Sequence, residues 1–163
     1  MKKISFVAGV SLFIFFTSCN VKNDRMNNTD GTTPNTIFPK GDRTPTENFT
    51  GTAWVNRLVK QDETGTYAIG NVVFEPGART NWHTHPAGQT LLVLDGQGWY
   101  QEKGKPARSI GKGDVVIIPS NTEHWHGAKK DSGMTHLAVT NSKDGGVKWL
   151  QSVTAEEYNS VSK

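Results

Sequence analysis

Cysteine is almost absent: one residue, Cys19, in a chain of 163. That excludes an intramolecular disulfide, a CxxC redox pair and a cysteine-rich zinc site. Helix-length apolar patterns are scarce while glycine occurs 17 times, which argues against an all-helical bundle. The chain has no GxSxG elbow, no phosphate-binding GxxxxGK[ST] loop and no GxGxxG turn. No recognisable pair of carboxylates points to glycoside hydrolysis. The formal charge is only +3, without a dense basic block or an aromatic–basic stripe, so no nucleic-acid partner is expected. Histidine is missing from the first 82 residues, and all five histidines then fall between positions 83 and 136. The length itself allows one domain with tails.

Residues 1–18 read as a signal peptide. Lys2 and Lys3 give a positive start, and Ile4 to Phe16 is a mostly apolar run of 13 residues. A bilayer core needs roughly 20 apolar residues, so the run is too short to span one. Thr17-Ser18-Cys19 follows and resembles a bacterial lipobox, with Phe16 where Leu is usual. The resemblance implies cleavage before Cys19, acylation there, and an exported, lipid-anchored protein of the cell envelope. Several acyl chains hold firmly, because each buried CH2 contributes about 0.8 kcal/mol. Residues 19–48 are rich in Asn, Thr, Asp, Gly and Pro and offer little to bury, so they read as a flexible tether. The globular domain is expected over 49–163.

Within that domain, short β-rich runs alternate with turns. They are Thr52–Lys60, Thr66–Glu75, Gln89–Leu94, Gly98–Glu102, Ala107–Ile110, Asp114–Pro119, His124–Ala128, Met134–Thr140 and Val147–Leu150. Turn signals between them include Glu75-Pro76-Gly77, Asp95-Gly96-Gln97-Gly98 and Gly111-Lys112-Gly113. Many short strands without intervening helices predict an all-β barrel or jelly roll. Thr154-Ala155-Glu156-Glu157 is a capping-box pattern that predicts a short helix near 155–160.

The histidines fall into two alternating pairs. In His83-Thr84-His85, a strand would put both rings on one face with Cα atoms about 6–7 Å apart. Pro86-Ala87-Gly88 then reverses the chain and Gln89 opens the next strand, so its amide oxygen can return to the same point. In His124-Trp125-His126, the two rings share the inner face and Trp125 packs on the other. His136 lies on the following strand. Three inward histidines and an amide oxygen make a nitrogen–oxygen site that suits one divalent ion of Mn, Fe, Ni, Co or Zn.

These residues resemble a known family. Gly77-x5-His83-x-His85-x3-Gln89-x6-Gly96 is similar to the first cupin motif, which normally has Glu at the Gln89 position. Gly113-x5-Pro119-x-Asn121-x2-His124 is similar to the second, with Asn121 for the usual glycine and Ala128 where a final Asn is usual. The resemblance implies a double-stranded β-helix. The stretches Val73–Thr80, Trp82–Pro86, Gly88–Leu91, Gly111–Val116, His124–Ala128 and Met134–Ala138 resemble, more narrowly, bacterial manganese cupins with R-selective hydroxynitrile lyase activity. This implies manganese held by His83, His85, Gln89 and His124. It implies His126 and His136 as unligated histidines beside the ion, one of them the base, and Thr80 in the substrate pocket.

Gln for Glu changes the electrostatics. Three imidazoles and an amide are neutral, so the double positive charge of an ion stays uncompensated, which strengthens it as a Lewis acid and weakens its hold. The expected function is a metal-dependent lyase acting on a small hydroxylated or carbonyl substrate. The alternatives are a metal-dependent dioxygenase and a non-catalytic envelope protein binding a small ligand. A homo-oligomer through barrel packing is a further expectation.

Overall fold

The computed structural model describes residue 34, residues 36–142 and residues 145–161. The expected signal peptide, Cys19 and the first part of the expected tether lie outside them. The chain forms β1 (Asp42–Arg43), β2 (Phe49–Thr50), β3 (Ala53–Val59), α1 (Gln61–Thr64), β4 (Tyr67–Phe74), β5 (Arg79–Thr80) and β6 (His83–Thr84). It continues through β7 (Gln89–Glu102), β8 (Arg108–Gly111), β9 (Val115–Ile118), β10 (His124–Ala128), β11 (Met134–Asn141), β12 (Lys148–Trp149) and α2 (Ala155–Val161). All strand pairs among the described residues are antiparallel, and they form the expected all-β, curled sheet.

One face runs in the order β1-β3-β4-β11-β7-β9. The other joins β2, β5, β10, β7 and β8, with β6 beside β10 and β12 beside β6. Strand β7 belongs to both. Its first half pairs with β9 and β11, its second with β8 and β10. The turn expected at Asp95-Gly96-Gln97-Gly98 is therefore not a turn. Gly96 takes a left-handed φ of 76°, and the β7–β11 register shifts nearby, between Thr135 and His136. Glycine serves there as a bulge that bends one long strand from face to face. A Cβ at Gly96 would collide with the Gly133 carbonyl oxygen, so the position admits no side chain.

Two further differences concern short elements. The expected tether extended to residue 48, but β1 lies inside that range and pairs with β3. Thr44 donates its N–H to Ala53 O at 2.9 Å, and Asn56 and Asn71 donate their amides to Pro39 O. Ordering here comes from backbone pairing, which a polar composition does not reveal. Residues 42–44, within the expected tether, are thus bonded to β3. The helix forms as expected: Thr154 N–H donates to Glu157 Oε2 and Glu157 N–H returns the bond to Thr154 Oγ1.

The barrel core holds Phe74, Leu91, Val93, Val116, Ile118 and Met134. Burying each large side chain stabilises the fold by about 1.5–3 kcal/mol. A second cluster, Trp82, Trp125, Val153 and Tyr158, packs α2 onto the outside. Trp125 is fully buried there, on the face opposite its flanking histidines.

Candidate metal centre

Strand pairing builds the centre. β6 and β10 set His83 directly across from His124, and their rings stand 4.2 Å apart. His85 follows two residues later, 5.1 Å from His83 and 5.7 Å from His124. One nitrogen from each of the three lies within 4.8 Å of the other two, an arrangement able to hold a metal ion. All three side chains are buried.

The hydrogen bonds define which nitrogen faces inward. His83 Nδ1 lies 2.9 Å from Asn81 O, and His124 Nδ1 lies 2.8 Å from Thr122 O. A carbonyl only accepts, so each Nδ1 carries the proton and each Nε2 is left as a lone pair. His124 Nε2 and both nitrogens of His85 are buried without a partner. Gln89 repeats the pattern with its amide. Nε2 donates to Thr140 Oγ1 at 2.9 Å, while Oε1 is buried and unpaired. Leaving such acceptors unsatisfied costs about 1–3 kcal/mol each. A shared cation removes that cost, so the donor set fits a divalent ion.

Burial keeps the rings neutral, as ligation requires. It lowers His85 to about 4, with His124 adding to the effect. It holds His83 well below the usual histidine range, again with His124 contributing. His124 is lowered by burial too, against the opposing pull of its bond to Thr122 O and of Glu102.

His126 and His136 form a second group. His136 Nε2 lies 3.3 Å from His126 Nδ1, and both rings pack against Phe74. The His126 ring is 5.4 Å from that of His83. Burial lowers His136 to about 4 and holds His126 well below its ordinary value, with His136 as the next cause. The contact depends on the bend in β7. His126 pairs with Tyr100 on the second half of that strand, and His136 with Val93 on the first.

Thr80 is buried, and its hydroxyl bridges the backbone of His126: it donates to the carbonyl and accepts from the N–H, both at 3.2 Å. This ties β5 to β10 under the His126 ring. Asn121, standing for glycine, has φ 58°, the only left-handed non-glycine residue among those described. Its short polar side chain tolerates that conformation. Two participants escaped sequence reasoning. Thr140 comes opposite Gln89 only through the β7–β11 register, and Trp149 reaches 4.9 Å from the His83 ring through β12. Parity patterns within one strand carry no signal of either.

A cavity of about 460 Å³ has His85 and Thr140 in its wall, with Val55, Val72, Ile69 and Ala138. A recess of about 500 Å³ is lined by Gln89, Ile117, Pro119 and Val139 and holds no histidine. Of the five histidines only His85 lines the 460 Å³ cavity; His126, His136 and Thr80, expected beside or in the pocket, are buried and do not line it.

Similarity to known proteins agrees with this geometry. The profile of the family described as "Cupin domain" matches residues 70–140. The chain is 46% identical over 115 residues to the (R)-mandelonitrile lyase of Granulicella tundricola, which spans 70% of this chain and 88% of that protein. The crystal structure of a cupin-like protein from Thermotoga maritima superposes with a TM-score of 0.76 at 46% identity, covering 79% of this chain and 98% of its own. A DMSP lyase from Ruegeria pomeroyi shares the fold at 21% identity, with a TM-score of 0.53 over 70% of this chain and 59% of its own.

Proposed function

The chain belongs to the cupin family, and on that premise we propose that it is a metal-dependent lyase for a small hydroxylated or carbonyl substrate, in the manner of a hydroxynitrile lyase. The observation that carries this reading is the presence of two kinds of histidine side by side. Three converge their nitrogens. Two more, His126 and His136, touch each other next to them. Binding alone gives no use to that second pair.

In this reading His83, His85, Gln89 and His124 hold one divalent transition ion, with manganese the ion the resemblance favours. Bound there, the ion would supply Lewis acidity toward the substrate oxygen. His126 takes the hydroxyl proton of a cyanohydrin. The carbon–carbon bond to the nitrile breaks, an aldehyde forms, and the cyanide takes the proton back from His126 and leaves as hydrogen cyanide. His136 fixes the tautomer: if it accepts at Nε2 from His126 Nδ1–H, then His126 Nε2 is the free base. Thr80 positions the His126 backbone through its hydroxyl. The cavity of about 460 Å³ has room for a small aromatic substrate.

The test is direct. Protein purified without chelators and loaded with manganese is expected to release cyanide and benzaldehyde from mandelonitrile without consuming oxygen. Oxygen uptake without cyanide would replace this reading with the dioxygenase. Tight ligand binding with no turnover would replace it with an envelope binding protein.

Gln89 gives a separate prediction. Its amide presents oxygen to the ion only while Thr140 takes the nitrogen end. Thr140→Val keeps the shape and loses the hydroxyl, so metal affinity should fall by about 10- to 100-fold, the usual cost of losing a ligand's supporting bond. Thr140→Ser should restore it. A chelator-competition titration checks this, and an unchanged affinity in Thr140→Val would count against Gln89 as a ligand.

The envelope location rests on Cys19, outside the described residues. In a bacterial host the wild-type protein should partition into detergent, and Cys19→Ala should release it or leave it unprocessed. An unmodified thiol on the mature chain, seen by mass spectrometry, would refute the anchor. Val115 and Ile117 are exposed on the edge strand β9, which supports association of copies through the barrel.

A further inference from the structure

Resting on the reading of this cavity as a substrate site, we propose that its substrate carries a carboxylate, held by Arg57 at the cavity mouth. Strand β3 alternates, and Ala53 and Val55 both pack into the barrel core. Arg57 is next in that row, where an apolar residue would continue the core, and it lines the cavity. Its cross-strand partner is Gly70. A Cβ placed on Gly70 would make only ordinary contacts, with Val55 Cγ1 at 3.7 Å and Asn56 O at 4.0 Å, so no backbone crowds Arg57 from across the strand, and Arg57 itself is exposed. The guanidinium therefore has room to reach over the mouth.

The charge pattern points the same way. Lys60 also lines the mouth, and among the described residues the lining contains no Asp or Glu. Arg57 makes no hydrogen bond or ion pair with another described residue. Helix α1 carries Asp62 and Glu63 beside the rim, and Glu63 turns onto the Lys60 backbone N–H at 2.8 Å. What remains is a cavity with a cationic mouth and His85 in its wall. A planar guanidinium matches a carboxylate with two parallel hydrogen bonds, and a cleft of one sign concentrates ions of the other. Apolar walls, Val55 among them, suit the body of the molecule between its two ends. The substrate class is then a small organic acid with a hydroxyl or carbonyl group set apart from its carboxylate.

The experiment compares two probes of one shape, 4-formylbenzoate and its neutral counterpart 4-formylbenzamide, by calorimetry on the manganese-loaded protein. The acid is expected to bind about tenfold tighter than the amide, the scale of one charge-assisted hydrogen bond. Arg57→Gln should abolish the preference and Arg57→Lys keep part of it, both with unchanged metal content. Equal affinity for the two probes, binding of neither, or a preference that survives in an Arg57→Gln/Lys60→Gln double variant would overturn the proposal. The lyase reading fails independently. Wild-type protein that releases no cyanide from mandelonitrile yet keeps the acid preference would sink the lyase and leave the carboxylate site standing.

Discussion

His83→Ala/His85→Ala protein, purified without chelators, is expected to contain almost no transition metal, where the wild type holds up to one ion per chain. The expectation follows from how few donors converge. Three histidine nitrogens lie within 4.8 Å of one another, and the double variant deletes two of them. The single variants His83→Ala, His85→Ala and His124→Ala should each lose most of the ion, because the donors left behind are all neutral. Gln89→Ala should lose less, since an amide oxygen is a weaker ligand than an imidazole. A coupled effect on stability accompanies the loss. Ligand at 100 times its dissociation constant stabilises the native state by about 2.7 kcal/mol, so added manganese should raise the melting temperature of the wild type and leave the double variant unmoved. Elemental analysis and thermal scans check both statements. A full complement of metal in the double variant would remove the ligand assignment.

Much of this centre could be read from residue order because its information is local. His83 and His85 share a face by strand parity, as do His124 and His126. Gly88 turns the chain so that Gln89 opens β7, with Gly88 N–H bonded to His85 O at 3.2 Å. The left-handed turn at Asn121 and the capping box at Thr154 follow from the chemistry of those side chains. What escaped is non-local. The His126–His136 contact exists because β7 bends at Gly96 and carries two strands toward each other, and a glycine between polar residues reads as a turn just as well. Strand β1 is two residues long and held by backbone bonds, so its polar sequence hides it. Thr140 and Arg57 matter only through the residues opposite them, Gln89 and Gly70. Register, which decides both, emerges from the fit of whole strands.

The second large effect is expected from His126→Ala: metal retained, cyanohydrin cleavage reduced by about 10²–10⁴-fold, the range for removing a general base. The geometry separates these two properties. His124 spends Nδ1 on Thr122 O and has only Nε2 to offer the centre, whereas His126 bonds through Nδ1 to another histidine. The ring of His126 is deeply buried among four other imidazoles, and that burial keeps it neutral and able to accept a proton at neutral pH. A bound cation would disfavour the imidazolium further. His136 works through His126, so His136→Ala should lower the rate by a smaller factor and His136→Gln, which can still accept a hydrogen bond, should recover part of it. Removing a buried ring also loosens packing against Phe74, so metal content and melting temperature are measured alongside the rate. Metal-replete His126→Ala and His136→Ala enzymes that both run at the wild-type rate would leave the reaction without a base. The non-catalytic reading would then take precedence, with the carboxylate site at Arg57 as the recognition element of a binding protein.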